Sequence, residues 1–415
     1  MKARLSSLPL ITSFCLANSF SQLGIATFPS LLPVFLTEWQ LSNTEAGWIN
    51  GIFFAGYLGA VPILVSLTDR IKAWKIYFSC LLLISATSLA FAFMAEGFWT
   101  AVFIRFFAGV GLAGTYMPGL KLLNDNLKIR FGNKDHSRAI SFYVANFGVG
   151  MAMSFYFSGA IGEAYNWHWA FAFAAIGPVG SIILTATNLS YKNSVPIKYP
   201  KTHIFDFRPV FRCREAMGYV LAYAAHNFEL FAFRSWIVAH LVLSSETSKS
   251  EITGWSITTI VALLNLIGLP ASVLGNELAK YFGRQKTITI VMMISAIFAC
   301  LLGFSSHWPF WLIIVFSFLY FITIIADSAA LTAGVVAAAP EGYSGTTMSV
   351  YSCIGFMGSF TGPLFFGIIL DLTNNLNLGE QIITSWGIAF ISIGIIGILG
   401  SLSLAILPKK NDTNN

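Results

Sequence analysis

Residues 226–236 read HNFELFAFRSW, which sets a histidine, a glutamate and an arginine among phenylalanine, leucine, alanine and tryptophan. The run around them, from about Ala216 to Leu243, is long and apolar enough to cross a bilayer. Arg105, Asp327 with Thr323, and Asn18 with Gln22 lie equally deep inside other apolar runs. Hydrocarbon tolerates such groups poorly: an ionisable side chain at mid-bilayer costs about 2.5–3.5 kcal/mol on insertion scales. They are therefore expected to face a bundle interior or a wet cavity. Their chemistry is of two kinds. Arg105 and Arg234 are fixed cations whose forked donors suit a carboxylate or an oxyanion. His226, Glu229 and Asp327 can change charge by taking up or releasing a proton. A carboxylate that pairs with arginine in one state and takes a proton in the other would couple proton movement to solute movement.

At about 100° per residue, Tyr219, Tyr223, His226, Glu229 and Arg234 fall within an arc of about 140° on one helix, with Ala224, Phe228 and Phe231 opposite. One face is polar and aromatic, and the other suits packing. The same residues also admit a structural reading. Glu229–Arg234 or Arg105–Asp327 can be permanent pairs that lock helices together, and His226 can simply bond Glu229 one turn away. Asn18 and Gln22, four apart, share a face of their own helix. Lys121, near the end of its run, is expected to snorkel to the membrane surface.

The elements that must hold these groups follow from composition. The chain has 415 residues, 56% of them hydrophobic and 10% charged, against roughly 25% charged in a soluble domain. It cannot cover itself with a polar surface and is read as an integral membrane protein. The apolar runs lack period-two alternation, which argues against a β-barrel. Roughly twelve such runs are long enough for a helix to span. They lie at about 8–37, 45–67, 75–95, 98–123, 138–161, 167–189, 216–243, 252–279, 285–304, 308–337, 345–370 and 384–407. The N-terminal run continues to about Leu36, too far for a cleaved signal. Cys15, Cys80, Cys213, Cys300 and Cys353 have no metal-ligand or redox spacing and read as packing residues.

Charge sorts the loops. Lys2 and Arg4; Arg70, Lys72 and Lys75; Lys128, Arg130, Lys134 and Arg138; the basic stretch YKNSVPIKYPKTHIFDFRPVFRCRE; Lys280, Arg284 and Lys286; and Lys409 and Lys410 all fall on one side if every run crosses once. Lys249 is the clear exception, and Glu38, Glu45, Glu96, Glu163 and Glu251 fall opposite. Short basic loops stay cytoplasmic, so both termini are expected inside. The net charge of +6 is then a topological signal dispersed over many loops, and no nucleic-acid partner is expected. The long basic loop divides the chain into residues 1–190, a linker at 191–215, and residues 216–415. Such a division suggests a duplicated architecture with a site between halves.

Two loops carry a resemblance. SLTDRIKAWK (66–75) follows the second run and NELAKYFGRQK (276–286) follows the eighth. Each is a helix end, a turn and a basic cluster, and resembles the Gly-x-Leu-Ala-Asp-Arg-Phe-Gly-Arg-Arg signature of the major facilitator superfamily. Leu67, Thr68, Asp69 and Arg70 match its first part. Leu278, Ala279, Phe282, Gly283 and Arg284 match its second, while Lys72 and Ala73 replace a Gly-Arg pair and Lys280 replaces the aspartate. RFFAGVGLAG (105–114) is similar to the family's Arg-x-x-x-Gly-x-Gly pattern, and WHWAF (167–171) to its entry into span six. The resemblance implies an all-α fold of twelve transmembrane helices in two pseudo-symmetric six-helix bundles, and secondary transport by alternating access. It implies that spans one, four, seven and ten line a central cavity. Arg105, His226, Glu229, Arg234, Asp327, Asn18 and Gln22 all fall on those spans and are the candidates for substrate and coupling ion. Asp69, Arg70 and Arg284 would form a cytoplasmic gate. Glycines in GVGMAMSFYFSGAIG (148–162) and GFMGSFTGPLFFG (355–367) are expected to let helices pack closely.

No Gly-x-x-x-x-Gly-Lys-Ser/Thr loop, metal-binding cluster or nucleophile elbow is present, so neither ATP-driven pumping nor enzymatic activity is expected, and no cofactor. The leading expectation is a monomeric transporter in the plasma membrane (a bacterial inner membrane). Its partners would be the lipid bilayer, a small polar solute, anionic on the strength of the two arginines, and a proton or other coupling ion. The alternatives are an antiporter that exports drugs or metabolites, and a non-transporting sensor or scaffold that keeps the fold.

Overall fold

A computed structural model of the chain describes residues 2–68, 70–132, 136–189, 207–248, 254–374 and 381–406. Every regular element among them is a helix, in the order α1 (Lys2–Ser21), α2 (Thr27–Ser30), α3 (Leu32–Glu38), α4 (Asn43–Leu67), α5 (Ala73–Met94), α6 (Phe98–Ala113), α7 (Tyr116–Phe131), α8 (Ser137–Ala164), α9 (Trp167–Ala174), α10 (Ile176–Ala186), α11 (Arg208–Arg212), α12 (Arg214–Thr247), α13 (Ile257–Phe282), α14 (Arg284–Gly303), α15 (Phe310–Ala326), α16 (Ser328–Ala338), α17 (Ser344–Asn374) and α18 (Gln381–Ala405). Among the described residues, eleven helical stretches are long and apolar enough to cross a membrane, and a shorter apolar helix covers Leu8–Ser21. In hydrocarbon a backbone must satisfy its own polar groups, and the α-helix does so within one segment.

Several runs that read as continuous in hydropathy are two helices end to end, or three in the first run, where α2 and α3 also part at Leu31. The first run breaks at Gln22–Ala26, the fourth at Gly114–Thr115, the sixth at Ala175 and the tenth at Asp327. The first break has a visible cause. Pro29 has no amide hydrogen to give the carbonyl four residues back, Ile25, and Gly24 adds freedom within the turn. Hydropathy counts apolar atoms and is blind to where the hydrogen bonds go.

Contacts divide the chain into two compact units. The first comprises residues 1–199, 235–242 and 252–266, and the second residues 200–234, 243–251 and 267–415. The first unit is centred on Phe14, Tyr77, Leu81, Leu123, Leu127 and Tyr143. The second is centred on Tyr219, Val220, Ile288, Leu331, Val335 and Tyr351.

Glycines set the closest helix approaches. In the first unit a Cβ on Gly109 would lie 1.8 Å from the Phe53 carbonyl oxygen, and one on Gly56 2.0 Å from that of Phe106, so α4 and α6 meet backbone to backbone. In the second, a Cβ on Gly358 or Gly362 would lie 2.2 Å from the carbonyl oxygens of Ala224 or Phe228, and α17 packs on α12 in the same way. The glycines of GFMGSFTGPLFFG thus serve close packing, as their spacing suggests.

Candidate functional site

In the first unit the site is built around the break after α1. The α4–α6 crossing at Gly109 brings Arg105, one turn earlier on α6, against the neighbouring backbone. Arg105 is 3% exposed. Its Nη1 donates to the Ile25 carbonyl at 3.3 Å, the acceptor that Pro29 leaves without an amide, and its Nε approaches the Ile49 carbonyl at 3.5 Å. The guanidinium also lies over the rings of Phe53 (4.6 Å) and Phe28 (5.9 Å), an arrangement favoured by the negative ring faces. The positive charge is met by carbonyl dipoles and π-faces.

α8 secures the other side of the break. Ser154 Oγ donates to the Leu23 carbonyl at 2.6 Å and accepts from the Ala26 amide at 2.9 Å, so one hydroxyl bridges the interrupted turn. Asn146 Nδ2 donates to the Cys15 carbonyl and Ser19 Oγ, both at 2.6 Å, and Ser158 Oγ to Thr27 Oγ1 at 2.9 Å. Asn18 Nδ2 donates to the Tyr143 carbonyl at 3.2 Å, and Gln22 Nε2 donates to Asn18 Oδ1 at 3.1 Å. The two amides expected to share a face are thus bonded to each other. In this part of the first unit the buried Gln22 Oε1, an acceptor, and Asn50 Nδ2, a donor, have no hydrogen-bond partner among the described residues. Unbonded buried polar atoms are costly, and each of these two keeps an unused hydrogen-bonding position.

In the second unit α12 is buried on both of its faces. His226, Glu229 and Arg234 are all less than a tenth exposed. The face bearing Ala224 and Phe228 packs on α17, as its composition suggests, but the polar face is covered as well. Helical periodicity reports which residues share a face and says nothing of what lies against it. His226 Nδ1 sits 2.7 Å from Asp327 Oδ1 at the junction of α15 and α16. Neither atom has an aligned hydrogen bond, so the contact is one of proximity. Glu229 Oε1 accepts from Ser295 Oγ at 2.7 Å and from Tyr320 Oη at 2.9 Å. Arg234 lies against the rings of Phe231 and Phe321, at 5.5 and 5.6 Å. Tyr223 stacks on Tyr351 at 3.9 Å and faces the His226 ring at 5.8 Å.

The structure therefore joins His226 to Asp327 and Asn18 to Gln22. It gives Glu229 two hydroxyl partners that its spacing did not reveal. Arg70 is exposed, and Arg284 Nη1 donates to the Ala333 carbonyl at 3.3 Å. Asp69 lies outside the described residues, as do Lys134, Lys249, Glu251 and most of the linker. Lys121 turns towards the end of a neighbouring helix. Its ammonium donates to the Thr68 carbonyl and hydroxyl, both at 3.0 Å, just past the C-terminal end of α4, where the helix dipole favours a cation. Sequence reasoning missed Ser154, Ser295 and Tyr320, whose residue types are unremarked in membrane helices. It also missed His240, which is fully buried near the end of its run.

These features can be set against known proteins. The model of the Major Facilitator Superfamily matches residues 14–363. The chain is 24% identical over 322 residues to the sphingosine-1-phosphate transporter SPNS2 of Danio rerio, covering 71% of this chain and 62% of that protein. It is 25% identical over 232 residues to the probable sphingolipid transporter spinster homolog 1 of Arabidopsis thaliana, covering 48% and 46%. The alignments thus span less than two thirds of the length of either relative. The quinolone resistance protein NorA of Staphylococcus aureus is 24% identical over 374 residues, covering 84% of this chain and 87% of that one. Among solved structures, an inward-facing, unoccupied bacterial homolog of the human lysosomal transporter Spinster matches with a TM-score of 0.73 at 14% identity, covering 96% of each chain. A point mutant of the nucleoside transporter NupG matches with a TM-score of 0.72 at 14% identity, covering 96% of this chain and 98% of that one. At those identities the likeness is one of fold. The family match extends over most of the sequence, and the chain belongs to the Major Facilitator Superfamily.

Proposed function

We propose that this protein is a secondary active transporter that moves a small polar, anionic solute across the membrane by alternating access, driven by protons. In this reading the short helix Leu8–Ser21 with α2 and α3 completes a twelfth crossing. The spans form six-helix halves, residues 1–190 and 216–415, joined by a cytoplasmic linker at 191–215, with both termini on the cytoplasmic side of the plasma membrane. In the first unit Arg105 holds the anion, helped by the open atoms of Gln22 and Asn50, and in the second Arg234 offers an anion the same forked donors. Glu229, with the His226–Asp327 pair, carries the proton. Asp69, Arg70 and Arg284 close the cytoplasmic side.

The observation that carries the reading is Arg105. A fixed cation 3% exposed within a membrane helix is met by two carbonyls and two ring faces, which leaves it able to bind a further anionic group. Purified protein in sealed vesicles, with an imposed proton gradient and a panel of labelled carboxylates, oxyanions and amphipathic compounds, tests it. Uptake of an anion that collapses when the gradient is dissipated is the expected result. Binding without flux would instead indicate a sensor.

A second reading is export of an amphipathic compound by antiport. It is supported by the aromatic faces beside both buried arginines and by the similarity to NorA and SPNS2. Expression that lowers cellular accumulation of such a compound, with no gradient-driven uptake of small anions, would favour it.

A further inference from the structure

We propose that Ser295 and Tyr320 are positioning residues for Glu229: they hold its Oε1 so that the coupled proton is taken up and released at Oε2, the oxygen facing Gly397. The inference rests on the reading that Glu229 carries the proton, and adds how the carboxyl is set for it.

Four observations support it. Both hydroxyl bonds fall on the same oxygen, Oε1, and come from two different helices, α14 and α15. Ser295 spends its hydroxyl on a side chain of another helix rather than on a carbonyl of its own. Ser317, Ser392 and Ser401 return their hydroxyls to a carbonyl of their own helix, whereas the hydroxyl of Ser295 is given to Glu229. Tyr320 is fully buried, with Phe233 edge-on at 5.2 Å and Phe390 at 6.3 Å, so the phenol is fixed by packing. Finally, a Cβ on Gly397 of α18 would lie 3.2 Å from Oε2. That is tighter than ordinary contact, so the missing side chain is what leaves room at that oxygen.

The chemistry follows. A carboxylic acid keeps acceptor capacity on its carbonyl oxygen, so Oε1 can hold both hydroxyls whether or not the group is protonated. A hydronium ion gives up one O–H bond as a new one forms at Oε2, which leaves water behind and cancels the negative charge, and the reverse step returns the proton to water. The other titratable groups near Glu229 are Tyr320 itself, Cys300 farther along α14, His226 on α12, and Asp327, which His226 engages. α18 contributes no titratable residue.

The test is an infrared pH titration of the full-length protein in lipid vesicles, over about pH 4 to 9, following the carboxylic C=O band that Glu229→Gln removes. Loss of either hydroxyl in Ser295→Ala or Tyr320→Phe is expected to move the band to higher frequency. Its midpoint should rise by about one pH unit, because one donor to the charged form is gone. Ser295→Thr, which keeps a hydroxyl, restores both. Gly397→Ala is expected to leave the frequency in place but to slow proton uptake after a pH jump several-fold. If a Glu229 band titrates but neither hydroxyl variant moves it, the positioning role is overturned while the coupling reading stands. A Gly397→Ala variant that exchanges as fast as the parent overturns the assignment to Oε2. If no band is lost in Glu229→Gln across that range, the coupling reading itself fails.

Discussion

The buried charges of the two units are held in different ways. In the first, Arg105 rests on the carbonyls of Ile25 and Ile49 and on the rings of Phe53 and Phe28. None of those partners can gain or lose a proton, and one of them exists because a proline interrupts a helix. In the second, Glu229 is held by the hydroxyls of Ser295 and Tyr320, and Asp327 faces His226. Those groups can change protonation and keep neighbours to bond. Arg234, set against the rings of Phe231 and Phe321, shares the first manner, but the titratable set belongs to the second unit. The contrast suits the proposed roles of Arg105 in gripping an anion and of Glu229 in responding to protons. The same physics that makes Arg105 dependable makes it useless as a switch.

The largest effect that can break this contrast is expected at Arg105. Arg105→Lys keeps the charge but loses the forked donors, so apparent affinity for the anion should fall about 10- to 100-fold in vesicle uptake. Unchanged affinity would return Arg105 to a structural role. Glu229→Gln should act differently. Gradient-driven accumulation is expected to drop about tenfold or more, while exchange of solute across the membrane at equal pH is much less affected. Equal loss of both activities in a folded variant would erase the distinction between the units.

Stability sharpens the comparison. Ser154→Ala removes the hydroxyl that bridges the first break, leaving the Leu23 carbonyl and the Ala26 amide buried without it. A cost of about 2–3 kcal/mol is expected in thermal unfolding of the purified protein. Ser295→Ala removes a donor from a group that still has Tyr320, and should cost only about 1 kcal/mol. If the two serines cost the same, the break in the first unit does not depend on the Ser154 bridge.

Much of this arrangement was legible in the residues themselves. Membrane spans declare themselves by composition, because hydrocarbon forbids charge over a long run. For the same reason Arg105, Glu229 and Asp327 stood out as the groups needing an explanation. Their partners did not. Ser154, Ser295 and Tyr320 are ordinary in an apolar helix, and each acts on a residue at least 66 positions away, a relation that no local pattern encodes. The partner of Lys121 was hidden in the same way, since the Thr68 carbonyl lies 53 positions away at the end of another helix. The break after Ser21 was partly written in Gly24 and Pro29, but a hydropathy count passes over it.

That break offers the smallest and most discriminating change. Pro29→Ala restores an amide four residues after Ile25, so the carbonyl that Arg105 engages can be claimed by its own helix. Within the first turn of α2 a proline is well tolerated, and its loss mainly frees the unfolded chain. Stability should therefore move by no more than about 1 kcal/mol. Yet the guanidinium would lose its better-placed carbonyl and be free to swing, so anion affinity should weaken several-fold with the melting temperature nearly unchanged. A joint test with Arg105→Lys decides whether the proline works through the arginine. If it does, Pro29→Ala adds nothing to the affinity loss of the double variant. If the two losses add in full, the interrupted helix and the buried cation are independent features, and the first unit's charge owes its position to the α4–α6 crossing alone.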